Sequence, residues 1–157
     1  MVALEPMLPE QFNEWLQLSV KEYAESKTKA GNVAAEKALE DSAREFKELL
    51  PDGLNTTDSY IFNATDQESN QIVGTLWIKI RNEQQEVFIY GIRMSEDFRG
   101  KGFGKQTLQA LEAFIKERGF PLKISLHVFG DNEIALNLYR SAGFEATNIR
   151  MSKVISG

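Results

Sequence analysis

This chain of 157 residues contains no cysteine, which excludes disulfides, thiolate metal sites and a cysteine nucleophile. Its single histidine leaves a histidine-based zinc site without enough ligands. Basic residues are outnumbered, 18 against 23 acidic, for a net charge of −5. That balance argues against nucleic acid or an anionic membrane as the main partner. No stretch approaches membrane-spanning length, and the start Met1-Val2-Ala3-Leu4-Glu5-Pro6 has neither a basic n-region nor a long apolar run. The expected location is the cytoplasm. Proline occurs only four times, so whatever helices and strands the chain forms are little interrupted. With 42% hydrophobic and 26% charged residues, residues 1–157 read as one globular domain with enough material for a core.

Glycine is unevenly used. Three glycines alternate in Arg99-Gly100-Lys101-Gly102-Phe103-Gly104-Lys105, between a β-like run and an amphipathic helix. Glycines allow close backbone approach, and a helix opening from such a turn aims unpaired N–H groups at its ligand. With Arg99, Lys101 and Lys105 adding charge, the segment reads as a phosphate cradle. It is neither a P-loop nor a dinucleotide fingerprint, because both patterns, counted from Gly100, need a glycine where Lys105 stands. The spacing is Arg-x-x-Gly-x-Gly. A second segment, Asp131 to Phe144, reads as a capped helix, with Asp131 as its expected N-cap and Gly143 as its C′ residue. It carries Asn132, Ala135, Leu138-Tyr139 and Gly143-Phe144.

In this order, the two motifs resemble the coenzyme A-contacting regions of the GCN5-related N-acetyltransferase (GNAT) superfamily. The N-terminal half is also similar to one bacterial subgroup, through Tyr23-Ala24, Gly31-Asn32 and Leu49-Leu50-Pro51-Asp52-Gly53-Leu54. Periodicity yields a short first strand, helical stripes from Phe12 to Tyr23 and from Ala35 to Leu50, and strands at Ser59–Ala64, Ile72–Ile80 and Val87–Met94. The post-cradle helix ends at Gly119, a strand spans Leu122–Val128, and Phe144–Thr147 and Ile149–Ile155 read as two closing strands. The expected fold is therefore α/β (mixed α+β): a twisted, mostly antiparallel sheet of about six to seven strands flanked by about four helices.

The resemblance implies transfer of an acetyl group from acetyl-CoA, with no metal, to a primary amine on a small molecule, peptide or protein. It assigns the pyrophosphate to Arg99, Gly100, Lys101, Gly102, Phe103, Gly104 and Lys105. The pantetheine arm falls to Ile92, Arg93 and Met94, where that strand should splay from its neighbour, and to Asn132. Catalytic roles fall to the Ile92 N–H, as oxyanion donor, and to Tyr139, as the acid for the departing thiolate; Tyr139 would also touch the coenzyme. The base stays open among Glu86, Tyr90, His127 and water, because subgroup members often carry an acidic residue where this chain has Gly91. The acceptor cleft is expected beneath the two N-terminal helices and the Pro51–Thr57 loop. An acyl-CoA sensor without catalysis on the same fold is the alternative. The sequence fixes no oligomeric state, and a homodimer is compatible with it.

Overall fold

Pairing in the computed structural model, which describes residues 1–31 and 34–155, builds one five-stranded sheet in sequence order. The subgroup's Asn32 lies outside the described residues. Strands β1 (Val2–Pro6), β2 (Ser59–Asp66), β3 (Gln71–Arg81) and β4 (Glu86–Met94) are antiparallel, and β5 (Ile124–Leu126) joins β4 in parallel. Helices α1 (Pro9–Lys29) and α2 (Ala35–Leu49) precede β2, α3 (Phe103–Arg118) links β4 to β5, and α4 (Glu133–Ser141) follows β5. Pro9 opens α1, where its missing N–H costs nothing, and Gly119 closes α3 at φ +70°.

Strand alternation supplies two cores. In β3, Leu76, Ile78 and Ile80 face α3 with Phe62, Val87, Ile89, Leu108, Leu111 and Ile115. Trp77 points the other way, packing with Met7, Phe46, Leu50 and Ile61 beneath α1 and α2. Leu111 and Ile78 are fully buried, so truncating either to alanine costs about 2–5 kcal/mol.

Five strands form where six to seven were expected. Both expected closing strands, Phe144–Thr147 and Ile149–Ile155, are outside any ladder, and the expected Leu122–Val128 strand is paired only over Ile124–Leu126. Alternation makes a segment fit for a sheet, but a strand exists only beside a partner. From Glu145 onward the chain runs exposed, with Ile149, Met151, Val154 and Ile155 each at least 72% accessible.

A bulge shapes the centre of the sheet. Trp77 pairs with Gly91, while the next residue, Ile78, pairs with Ile89, so Tyr90 is the extra residue of β4. Tyr90 stacks on the Trp77 ring at 4.8 Å, with Gly91 opposite the same indole. The bulge thereby returns Ile92, rather than Gly91, to the α3 face.

Candidate functional site

Downstream of the bulge, β4 and β5 part. Their last paired residues are Ile89 and Leu126, yet β4 continues to Met94 with only β3 beside it. Antiparallel pairing then decides which groups are free. Ser95 N–H donates to the Val73 carbonyl at 2.8 Å, and two-residue alternation turns Arg93 and Gly91 to β3 as well. The main chains of Ile92 and Met94 therefore face the gap. The Met94 carbonyl accepts from Arg99 Nε at 3.1 Å, which ties the glycine-rich turn to the strand end.

That turn lies at the mouth of the gap. Gly100 and Gly102 have φ of +74° and +85°, left-handed backbone that side chains disfavour, and an added Cβ on either would meet nothing within 4 Å. Gly102 caps α3, and the first hydrogen bond across the cap is Gln106 N–H to the Gly102 carbonyl, at 3.2 Å. The N–H groups of Phe103, Gly104 and Lys105 are thus the unpaired donors of the first turn. Lys101 and Lys105 are exposed there, whereas Phe103 anchors the turn against Phe98, with ring centroids 6.0 Å apart. A Cβ on Gly104 would come within 3.1 Å of Leu138 Cδ2, so that glycine also permits α4 to pack close. This open, donor-lined, cationic turn fits a pyrophosphate.

From α4, Tyr139 packs against the same core cluster as Ile92 and meets Phe144 edge to face at 5.7 Å. Burial alone pushes its phenol up to about 12. The group therefore remains a neutral O–H donor throughout the physiological range. The N-cap of α4 is Asn132, not Asp131: Asn132 Oδ1 accepts from Ala135 N–H at 3.1 Å. The capping oxygen is committed, and its amide N–H₂ is the part left for a ligand.

The base candidates are spread out. Glu86, at the far end of β4 from the gap, is buried and bonded to Arg81 Nη1 at 3.2 Å. The Ser125 hydroxyl and the Arg81 guanidinium hold its carboxyl below the usual carboxylate range. Arg81 Nη2 also donates to the Tyr90 hydroxyl at 2.7 Å, and the guanidinium lies 3.9 Å from the Phe88 ring centroid. Glu86 and Tyr90 are thus both committed to one cation. His127 is exposed where the strands part, edge-on to Phe129 at 5.0 Å. A Cβ on Gly91 would lie 4.0 Å from Trp77 Cε3, an ordinary contact, so space does not dictate glycine there.

Sequence reasoning missed the wall opposite α4. Arg93 reaches α1, where its Nε donates to both carboxylate oxygens of Glu22 at 3.0 and 3.1 Å. The next residue of α1, Tyr23, meets Phe129 of the β5–α4 loop at 6.1 Å. A depression of about 410 Å³ adjoins this contact, lined by Ser26, Lys29, Phe129, Asp131, Asn132, Glu133 and Ile134. No local motif marks these residues, because the topology alone brings α1 to that loop. The Gln106 side-chain amide oxygen Oε1, in the first turn of α3, is buried without a partner among the described residues. The Pro51–Thr57 loop, expected to roof the site, instead packs through Gly53 on Phe12. That is ten residues, or roughly 15 Å, along α1 from Glu22. Among the described residues, no cluster of acidic, histidine or cysteine side chains could hold a metal, and no helix is long and apolar enough to cross a membrane.

The sequence pattern of the Acetyltransferase (GNAT) family matches residues 12–144. The chain is 42% identical over 154 residues, 97% of each chain, to YycN of Bacillus subtilis (strain 168), an uncharacterized N-acetyltransferase. A second uncharacterized N-acetyltransferase of that organism, YdgE, is 34% identical over 153 residues, 96% of each chain. The crystal structure of YycN superposes with a TM-score of 0.94 at 41% identity, covering 100% of both chains.

Proposed function

We propose, from the premise that this chain belongs to the GNAT acetyltransferase family and is an acetyltransferase, that it moves the acetyl group of acetyl-CoA directly onto a primary amine in a ternary complex. The observation that carries this reading is the main chain of Ile92 and the N–H of Met94, facing the strand gap beside the helix-capped glycine turn. A pyrophosphate on the N–H groups of Gly102 to Lys105, flanked by Arg99 and Lys101, directs the pantetheine arm into that gap. There its amides pair with Ile92 and Met94 as an added strand would. Arg93 contributes through its side chain, because its main chain is turned to β3.

In the reaction, the neutral amine nitrogen attacks the thioester carbonyl carbon. The carbonyl oxygen takes the negative charge, and the Ile92 N–H is a preorganised donor for it. The nitrogen of the tetrahedral species gives up its second proton to water; as the species then collapses, the C–S bond breaks and the coenzyme leaves as a thiolate that accepts a hydrogen bond from the Tyr139 hydroxyl. The amine reaches the carbonyl from the α1 side, past Glu22, Tyr23 and Phe129. With Glu86 and Tyr90 held by Arg81, water beside His127 is the route by which the ammonium proton leaves. The absence of cysteine suits a cytoplasmic enzyme.

Incubation of the protein with acetyl-CoA and a panel of small amines and peptides, reading released coenzyme thiol, tests the proposal. Acceptor-dependent thiol release is the expected result. Tight acetyl-CoA binding by calorimetry, with no release across the panel, would instead favour the sensor reading, for which the lack of a free carboxylate on β4 speaks.

A further inference from the structure

The α1-facing wall of the strand gap holds one cation whose hydrogen-bonding capacity is unspent. Gly91 and Arg93 stand two residues apart on β4, so they face the same side of the sheet, and they flank Ile92. Arg93 shows which side that is, because its Nε donates to Glu22 of α1 at 3.0 and 3.1 Å. Both oxygens of Glu22 share that single N–H. The planar fork of Nη1 and Nη2 has no partner among the described residues, and the side chain is partly accessible. Beside it the wall is open: within 4 Å, a Cβ on Gly91 would meet only Trp77 Cε3. The other charges along this wall are engaged. Lys27 pairs with Glu45 at 3.1 Å and Lys29 with Asp131 at 3.9 Å, while Glu133 sits in the first turn of α4, among its unpaired N–H groups.

We infer, resting on acetyl transfer in the strand gap, that the acceptor is a free amino acid, an amine with its own carboxylate, and that Arg93 binds this carboxylate through Nη1 and Nη2. A guanidinium presents its N–H groups in a rigid fork that matches two carboxylate oxygens. Glu22 fixes the fork from the Nε side and occupies none of it. Ile92, the oxyanion donor, and Arg93 are neighbours on a strand that rises about 3.4 Å per residue, so nitrogen and carboxylate belong to one small molecule. A lysine side chain of a folded protein brings no carboxylate of its own to this place. A diamine would need a carboxylate with oxygens to spare, and Glu22 and Asp131 each already face a cation.

The test measures thiol release from acetyl-CoA with leucine, phenylalanine, β-alanine and 4-aminobutanoate, each set against its own carboxamide, in the unaltered enzyme and in Arg93→Gln. The carboxylate-over-carboxamide preference in kcat/KM should fall by about 10- to 150-fold in Arg93→Gln, the range that hydrogen bonds to a charged group support. Comparing the two proteins cancels the different basicities of the paired amines. Arg93→Lys, which keeps the charge and loses the fork, should recover part of the preference. In the unaltered enzyme, the best acceptor's analogue without nitrogen (4-methylpentanoate for leucine) should compete with the amine and not with acetyl-CoA. A preference that Arg93→Gln leaves unmoved, or putrescine acetylated as well as the amino acids, overturns the inference while acetyl transfer stands. Should Arg93→Gln not fold, failure of the nitrogen-free analogue to compete overturns it equally. No release from any amine is the failure of acetyl transfer itself, and the inference falls with it.

Discussion

Replacing Tyr139 by phenylalanine keeps the ring and its contact with Phe144 while deleting the hydroxyl proposed to donate to the departing sulfur. A phenol near 12 is a weak acid against a thiol of about 8.5, so complete proton transfer would run uphill by roughly 3.5 units, or about 5 kcal/mol. The hydroxyl is therefore worth what a hydrogen bond to a charged acceptor is worth, about 1.5–3 kcal/mol. Deleting it should lower kcat by about 10- to 150-fold. That is less than full general acid catalysis, which typically contributes about 100- to 10,000-fold. The assay is thiol release at saturating acetyl-CoA and acceptor, with acetyl-CoA affinity followed by calorimetry and expected to hold. A thioester with a more acidic thiol should shrink the loss, because its leaving group needs less help. The same variant reports on the burial. In the native protein the folded pKa of about 12 lies above the unfolded value near 10, so stability is full below pH 10 and falls as pH rises toward 12. The shift of about 2 units corresponds to roughly 2–3 kcal/mol, and Tyr139→Phe should remove that alkaline loss. An unchanged kcat with weakened acetyl-CoA binding would make Tyr139 a packing residue and refute the reasoning.

Three further outcomes are expected. Gly102→Ala should cost about 1–2 kcal/mol of stability, because alanine is strained at φ +85°, yet leave the fold intact and weaken acetyl-CoA at least about tenfold in calorimetry; unchanged affinity would remove the cradle from the site. Glu86→Gln should leave kcat within about threefold, since loss of a working base costs about 100-fold or more. Because the Glu86 carboxyl is held below its ordinary value, its stabilisation is present above the unfolded pKa and lost on acidification through the folded one, so in acid melts the variant should lack that component of the loss. Initial-velocity plots against acetyl-CoA and amine should intersect, and acetyl-CoA alone should leave no acetylated protein; parallel lines would point to a covalent route through serine or lysine.

The sequence by itself determined whatever is local in origin. Pro9, Gly119 and Gly143 placed helix ends because their backbone preferences act within a turn, and the glycine turn before α3 was legible for the same reason. Alternation identified Leu76, Trp77 and Ile78 as strand residues, although not which side chain meets which helix. Tertiary structure decided everything that depends on a partner distant in the chain. The bulge at Tyr90 arises only from the register against Trp77, and it selects Ile92 and Met94 as the groups facing the gap. Glu86 stood among the four open candidates for the base before folding set it beside Arg81, and Glu22 carried no signal until α1 crossed the end of β4. The tail after α4 has a strand's pattern and no strand beside it among the described residues, because a sheet hydrogen bond belongs to two segments and a sequence pattern describes only one.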